Sequence, residues 1–129
     1  MKKILVVEDN EINMYLCCRI LKSSGYEVIE ARSGEEGVEL AIKEKPDLII
    51  MDIQLPGIDG LETTKKIRES KAGNKVPIIA LTSYAMAGDR KKALKAGCTG
   101  YIEKPINPET FIDEIKKFLE VKDEKSNSS

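Results

Sequence analysis

Short apolar runs alternate with amphipathic segments along this chain. The apolar runs have the length of buried strands, and they cover residues 3–8, 26–31, 47–52, 76–81 and 99–103. The segments between them have helical spacing, and they cover residues 11–23, 34–44, 59 to about 70, about 86–96 and a last stretch that begins at Pro108. Because strands and helices alternate, we predict an α/β domain in which helices cover both faces of a parallel five-stranded sheet.

Apolar positions within three of the predicted helices recur every three or four residues. In the first helix they are Ile12, Leu16 and Ile20. In the second helix the predicted inner face consists of Val38, Ala41 and Ile42. The last helix has the clearest stripe, which consists of Phe111, Ile112, Ile115, Phe118 and Leu119.

Polar side chains with reactive groups stand at the ends of four predicted strands. Glu8 and Asp9 lie at the end of the first strand, Asp52 ends the third, Thr82 follows the fourth and Lys104 follows the fifth. A carboxylate at the end of an apolar strand is costly to bury without a partner. In the strand order 2-1-3-4-5, the first and third strands are neighbours. The three carboxylates would then converge in a crevice at the carboxyl ends of these strands.

Three carboxylates in one crevice repel one another and raise one another's pKa values. A divalent cation removes this repulsion, and oxygen ligands without cysteine or histidine favour Mg²⁺ or Mn²⁺ over zinc. A cation held from one side by protein is well placed to bind a phosphoryl group. One such carboxylate alone would be an ordinary solvated side chain, but the set of Glu8, Asp9 and Asp52 favours a metal site.

Composition narrows the possible functions. The 129 residues fit one domain, and a net charge of −1 without a long basic run argues against direct contact with nucleic acid. The absence of histidine excludes histidine-based catalysis. No apolar stretch is long enough to span a membrane and no signal peptide is visible, so we expect a cytoplasmic protein. Cys17, Cys18 and Cys98 lack metal-ligand spacing, and we expect them to be reduced and mostly buried.

The strand-end motifs resemble those of the receiver domain of two-component response regulators. They are Val7-Glu8-Asp9-Asn10, Met51-Asp52-Ile53-Gln54-Leu55-Pro56-Gly57 with Asp59-Gly60, Ala80-Leu81-Thr82-Ser83, and Gly100-Tyr101-Ile102-Glu103-Lys104-Pro105. Each motif alone is weak, but their order and spacing are specific. The resemblance implies a flavodoxin-like, doubly wound (βα)5 sheet in the order 2-1-3-4-5. It covers about residues 3–120, so we predict a receiver domain at residues 1–121 and a polar, disordered tail at 122–129.

The resemblance also implies roles for the residues of the crevice. Asp52 would be the phosphoacceptor, and Lys104 would bind the phosphoryl group. Asp9 and Asp52 would bind Mg²⁺ directly, and Gln54 would contribute its backbone carbonyl. Glu8 would hold a metal-bound water. Receivers of this family often have a cis peptide bond between this lysine and the following proline.

Signalling roles follow from the same resemblance. Thr82 would be the switch hydroxyl and Tyr101 the switch aromatic, and they would change the surface of the fourth helix, fifth strand and fifth helix. Ser83 is a departure, since many members have alanine there. The phosphoryl donor would be a sensor histidine kinase or a histidine phosphotransfer protein, and the output would be binding to a downstream protein or a phosphorelay. The domain would be a regulator that catalyses only its own phosphorylation and dephosphorylation, without a nucleic-acid or membrane partner.

Two other classes share parts of this pattern. A haloacid-dehalogenase-like, Mg²⁺-dependent phosphatase requires a second aspartate two residues after the nucleophile, where this chain has Gln54 after Asp52 and Glu11 after Asp9. A flavodoxin-like cofactor binder requires a phosphate loop rich in Ser, Thr and Gly after the first strand. This chain has Glu8-Asp9-Asn10-Glu11 there, which would repel a phosphate that arrives without metal.

Overall fold

The structure confirms the alternation of strands and helices. The computed structural model describes residues 2–55, 57–71, 73–83 and 87–127. The strands are β1 (Lys3–Val7), β2 (Glu27–Ala31), β3 (Leu48–Asp52), β4 (Ile78–Thr82) and β5 (Gly100–Glu103). The helices are α1 (Glu11–Ser23), α2 (Gly34–Glu44), α3 (Gly60–Glu69), α4 (Ala87–Ala96) and α5 (Pro108–Asn127). The predicted start of the fourth helix at residue 86 and Pro56 of the third-strand motif lie outside the described residues.

The five strands form one parallel sheet in the order β2-β1-β3-β4-β5, as predicted. β1 lies beside β3, with Val7 next to Met51. β4 separates β3 from β5, and Thr82 lies next to Glu103. The chain leaves β1 and β3 toward opposite faces of the sheet, which opens a crevice at their carboxyl ends.

Side chains alternate along the strands and form one apolar cluster on each face of the sheet. Ile4 and Val6 of β1 point toward α1 and α5, where Phe111 is fully buried. Leu5 and Val7 point to the other face, which α2, α3 and α4 cover. The two clusters fix the sheet between two helical layers and thereby fix the position of every strand end.

Two of the three apolar residues that the sequence shows in α1 do not face the core, whereas Ile20 packs partly buried against it. Ile12 is 71% exposed and Leu16 is 44% exposed. The buried side of α1 consists instead of Met14, Cys17, Cys18 and Leu21. The prediction of a helix at this position is confirmed, but Ile12 and Leu16 lie outward.

The predicted inner face of α2 is wrong at Ile42, which is 44% exposed. Ala41 is buried and Val38 is partly buried, as expected. The helix turns small residues toward the sheet because it packs closely against β1. A Cβ atom on Gly37 would lie 3.0 Å from Cγ2 of Val7.

The apolar stripe of α5 and the state of the cysteines are confirmed. Phe111, Ile115 and Leu119 are buried, and Ile112 and Phe118 pack partly buried against them. Helical backbone continues to Asn127, and the boundary between domain and tail at residue 121 stays a prediction. All three cysteines are free and buried.

Among the side chains of α4 whose burial the structure describes, at residues 90–96, few are buried. Ala93 and Ala96 are buried, whereas Leu94 is 51% exposed. The C-terminal end of α4 is tied to α3, because Arg68 Nε donates a hydrogen bond to the Gly97 carbonyl at 2.8 Å. This anchor lies at the end of α4 that is remote from the carboxyl ends of the strands.

Candidate functional site

The two acidic residues after β1 are held close to the sheet. The backbone N–H of Glu8 donates to the Ala31 carbonyl at the end of β2, at 2.9 Å. Asn10 then caps α1, since its side chain accepts a hydrogen bond from the backbone N–H of Asn13 at 3.0 Å. The short connection therefore keeps Glu8 and Asp9 at the carboxyl edge of the sheet.

Asp52 enters the same crevice as the last residue of β3. Its Oδ1 accepts a hydrogen bond from the backbone N–H of Gln54 at 3.0 Å. Gly60 lets α3 begin directly behind this loop, because a Cβ atom there would lie 2.2 Å from the Asp52 carbonyl oxygen. The first turn of α3 thus fixes the loop that carries Asp52 and Gln54.

Three carboxylates meet in the crevice, as the sequence predicts. One oxygen from each of Glu8, Asp9 and Asp52 lies within 4.8 Å of the others. Glu8 is fully buried, Asp52 is 2% exposed, and Asp9 is open to solvent. The cluster therefore has two buried acids and one exposed acid at its mouth.

Lys104 compensates part of this negative charge. Its Nζ lies 3.1 Å from Oδ1 of Asp52 and 3.4 Å from Oε1 of Glu8. Its backbone N–H donates to the Thr82 carbonyl at 2.8 Å, and the bond to Pro105 is cis, as the resemblance implied. The chain after β5 is thereby held against β4, and the lysine points into the acidic crevice.

The surroundings of Glu8 raise its pKa, so it keeps its proton to a higher pH than an ordinary glutamate does. Burial, followed by the hydrogen bond and the charge of Asp52, raises the pKa of Glu8 to about 8, although Lys104 acts in the opposite direction. Burial alone would lower the pKa of Lys104. The charges of Asp52 and Glu8 and their hydrogen bonds outweigh it, so the pKa of Lys104 lies above its usual value.

The donor set fits a hard divalent cation. Oε2 of Glu8 is buried and has no hydrogen-bond partner among the described residues. A buried carboxylate oxygen without a partner is unfavourable, and a cation or a cation-bound water would satisfy it. Carboxylate oxygens of Glu8, Asp9 and Asp52 are the ligands that Mg²⁺ prefers.

Thr82 and Tyr101 lie on neighbouring strands and on the same face of the sheet. Thr82 ends β4 and is 9% exposed. Tyr101 pairs in register with Ala80, and both pack in the cluster that α2, α3 and α4 cover. Since residues two apart on a strand share a face, the side chain of Thr82 points to that face as well.

One residue next to this pair was not predicted from the sequence. The guanidinium carbon of Arg90 in α4 lies 4.4 Å from the centroid of the Tyr101 ring. The sequence carries no signal for this contact, because Arg90 begins a run of basic residues that read as a solvated helix face. That run consists of Arg90, Lys91, Lys92 and Lys95.

Comparisons with known proteins agree with this geometry. A family model described as the response regulator receiver domain matches residues 4–116. The polar-differentiation response regulator DivK of Brucella ovis is 47% identical over 118 residues, which are 92% of this chain and 96% of the relative.

Solved structures give the same result. A receiver domain of a sensor histidine kinase from Pseudomonas aeruginosa, solved with a magnesium ion coordinated in its active site cleft, has a TM-score of 0.86 at 37% identity. The match covers 92% of this chain and 97% of that one. A CheY-like receiver domain protein from Methanospirillum hungatei has a TM-score of 0.90 at 31% identity, covering 97% and 98%.

These matches favour neither of the alternative classes, the phosphatase or the flavodoxin-like cofactor binder. Within the part of the chain that the structure describes, no helix is both long enough and apolar enough to cross a membrane. With the strand order 2-1-3-4-5, an acidic crevice at β1 and β3, and a lysine at the end of β5, the chain belongs to the response regulator receiver domain family.

Proposed function

We propose that this receiver domain accepts a phosphoryl group on Asp52 from a phosphohistidine. The donor is a sensor histidine kinase or a histidine phosphotransfer protein. The proposal rests on the surroundings of Asp52. Its carboxylate is almost fully buried, yet it faces Lys104 at 3.1 Å and shares a site with two other carboxylates. Such an arrangement is costly for stability and suits a nucleophile that must work beside a cation.

The chemical step needs positioning and charge compensation more than proton transfer. An oxygen of Asp52 attacks phosphorus while the bond between phosphorus and the donor's imidazole nitrogen breaks, and its electron pair stays on that nitrogen. The product is an acyl phosphate. Lys104 remains charged because its pKa is raised, and it is close enough to pair with a new phosphoryl oxygen.

Mg²⁺ is the proposed cofactor, and Mn²⁺ has the same ligand preference. Asp9, Asp52 and the backbone carbonyl of Gln54 would hold the cation directly, and Glu8 would hold it through a bound water. When bound, the cation offsets the negative charge of the phosphoryl oxygens. The buried Oε2 atom of Glu8 supports a cation or a cation-bound water here, because it has no partner among the residues that the structure describes.

The proposed output is a change in the surface formed by α4, β5 and α5. A phosphoryl group adds about 1.5 to 2 negative charges and three acceptor oxygens. Thr82 would donate a hydrogen bond to one of these oxygens. Its movement toward Asp52 would make room for Tyr101, which shares its face of the sheet. The light anchoring of α4 supports a shift of this surface. The domain then acts as a regulator by binding a protein target or by passing the phosphoryl group on.

The outward stripe of α1 supports a protein donor. Ile12, Tyr15 and Leu16 are 71%, 59% and 44% exposed, and they lie on the helix that begins directly after the acidic pair. A protein that carries the phosphohistidine must approach Asp52 past the first turns of α1, and it would cover these side chains. Replacing Ile12 or Leu16 with Ser should slow transfer from a phosphorylated histidine phosphotransfer protein of the same genome. Labelling by acetyl phosphate should stay unchanged.

The test of the central proposal is phosphorylation by a small donor. Acetyl phosphate with Mg²⁺ should add one phosphoryl group to the wild-type protein and none to Asp52→Asn, as measured by intact mass. Asp113→Asn makes the same chemical change at an exposed position of α5 and should be labelled like the wild type. Equal labelling of Asp52→Asn, or no labelling of the wild type, would refute the assignment of Asp52.

A further inference from the structure

We infer that Arg90 is a positioning residue that holds the ring of Tyr101 in its present position and thereby opposes the switch. The inference rests on the proposed function, since it concerns how phosphorylation of Asp52 reaches the surface of α4, β5 and α5. It says that one contact between α4 and the sheet stabilises the unphosphorylated conformation.

The contact has the geometry of a cation–π interaction. The guanidinium carbon of Arg90 lies 4.4 Å from the centroid of the Tyr101 ring, well inside the distance at which such pairs attract. Among the described residues, no carboxylate forms an ion pair with Arg90, and its guanidinium contacts the ring of Tyr101. Its charge is therefore available to the face of the ring.

The direction of the effect follows from where the three side chains lie. Thr82 and Tyr101 point to the face of the sheet that α4 covers, and Arg90 reaches the ring from α4. A ring that leaves its present position must give up this contact with the guanidinium or pull α4 with it. In the conformation with this contact, Lys104 pairs directly with the carboxylate of Asp52. The contact therefore belongs to the arrangement that phosphorylation would change.

The anchoring of α4 makes this contact important for its position. Arg68 holds the C-terminal end of α4 through the Gly97 carbonyl, and Ala93 and Ala96 supply small buried surfaces. Arg90 lies one helical turn before Ala93 and joins α4 to β5. Tyr101 also lines a cleft of about 360 Å³ between β5 and α5, so its position shapes two neighbouring parts of the same surface.

A double-mutant cycle with a phosphoryl mimic tests the inference. The measured quantity is the concentration of beryllium fluoride that half-saturates the protein at fixed Mg²⁺, followed by NMR shifts of the Asp52 and Ile53 amides. Arg90→Met keeps a long, helix-favouring side chain without the charge. It should lower this concentration about two- to fivefold, equivalent to the 0.5–1 kcal/mol of an exposed cation–π pair. Arg90→Lys should lie between wild type and Arg90→Met.

The control is Lys91→Met, which removes the same charge from the neighbouring position of α4. Loss of a positive charge by itself weakens binding of an anion, so the control should equal the wild type or need slightly more beryllium fluoride. The effect of Arg90→Met should persist in Tyr101→Phe, which keeps the ring, and vanish in Tyr101→Leu. The Arg90 δ-protons should lose a ring-current shift in Tyr101→Leu even without beryllium fluoride.

The outcomes separate the two proposals. If Arg90→Met behaves like Lys91→Met, or if its effect persists in Tyr101→Leu, Arg90 does not position Tyr101, and the proposed function is untouched. If the wild type does not respond to beryllium fluoride and Mg²⁺, the proposed function fails and this inference fails with it. A lower midpoint in Arg90→Met that depends on the ring of Tyr101 supports the inference.

Discussion

In metal-free solution, raising the pH should destabilise this domain through Glu8. Its pKa is about 8 in the folded protein against an ordinary value of 4.5, chiefly because the carboxyl is buried. Between these values the folded state keeps a proton that the unfolded state loses. The free energy of unfolding must therefore fall as the pH rises. The contribution is complete below about pH 4.5 and is lost by about pH 8.

The magnitude follows from the size of the pKa difference. Each pKa unit corresponds to about 1.4 kcal/mol, so the rise from 4.5 to about 8 sets an upper limit of roughly 5 kcal/mol. Movement of Lys104 toward the ionised carboxylate and entry of water reduce this value. The loss is therefore smaller than this limit, and it is to be compared with the roughly 5–15 kcal/mol that typically stabilises a domain.

Urea unfolding in EDTA, followed by circular dichroism from pH 5 to pH 9, measures this effect. Glu8→Gln is the matched control, because it keeps the shape of the side chain and removes its titration. The wild-type free energy minus that of Glu8→Gln should decrease with pH and level off above about pH 8. A difference that is constant or increases with pH would show that the attraction of Lys104 outweighs burial and Asp52. At pH 8, Mg²⁺ should stabilise the wild type more than Glu8→Gln, since the cation replaces the proton.

Two further predictions concern the elements around Asp52. Gly60→Ala should lower the free energy of unfolding by about 2 kcal/mol or more, because the added Cβ would meet backbone atoms of Asp52 and Ile53 at 2.2–2.9 Å. An unchanged urea midpoint would mean that α3 is free to shift away from this loop. Thr82→Ala should still be labelled by acetyl phosphate, since Lys104 and Mg²⁺ supply most of the charge compensation. Beryllium fluoride should then shift the amide resonance of Tyr101 much less than in wild type. A full wild-type response would exclude Thr82 as the switch.

Local patterns in the sequence predicted the strands and the residues at their carboxyl ends, and the resemblance to receiver domains supplied the strand order that brings these ends together. Buried parallel strands are continuous apolar runs, so the residue that interrupts each run marks its carboxyl end. Asp52 was recognisable for this reason, and so was Lys104 before its proline. The parallel arrangement then brings these ends to one edge of the sheet, as the structure confirms.

The sequence did not decide which helix faces are buried. α1 has two apolar stripes, and the branched side chains of Ile12 and Leu16 point outward while Met14 and Cys17 point inward. α2 turns Gly37 and Ala41 to the sheet because the helix packs close to β1. The large apolar side chain of Ile42 is therefore exposed, although its size favours burial. Local spacing cannot decide which side of a helix is buried, since that depends on how near the helix lies to its neighbours.

The contacts between side chains of different elements could not be predicted from the sequence either. The pairing of Lys104 with Glu8, and that of Arg90 with Tyr101, join residues from separate elements. Their distances depend on the twist of the sheet and on helix position, which no local pattern records.

The burial of Cys17 has a consequence for the chemical lifetime of the phosphoryl group. The acyl phosphate proposed at Asp52 is a mixed anhydride. A nearby thiolate would attack its carbonyl carbon, break the bond to the phosphate oxygen, release inorganic phosphate and leave a thioester. Burial, helped by the charge of Glu8, raises the pKa of Cys17 to about 12. At neutral pH only about one molecule in 10⁵ therefore carries the thiolate. Cys17 therefore stays in its poorly nucleophilic thiol form at neutral pH, so the chain's own sulfur does not shorten the lifetime of the phosphoryl group.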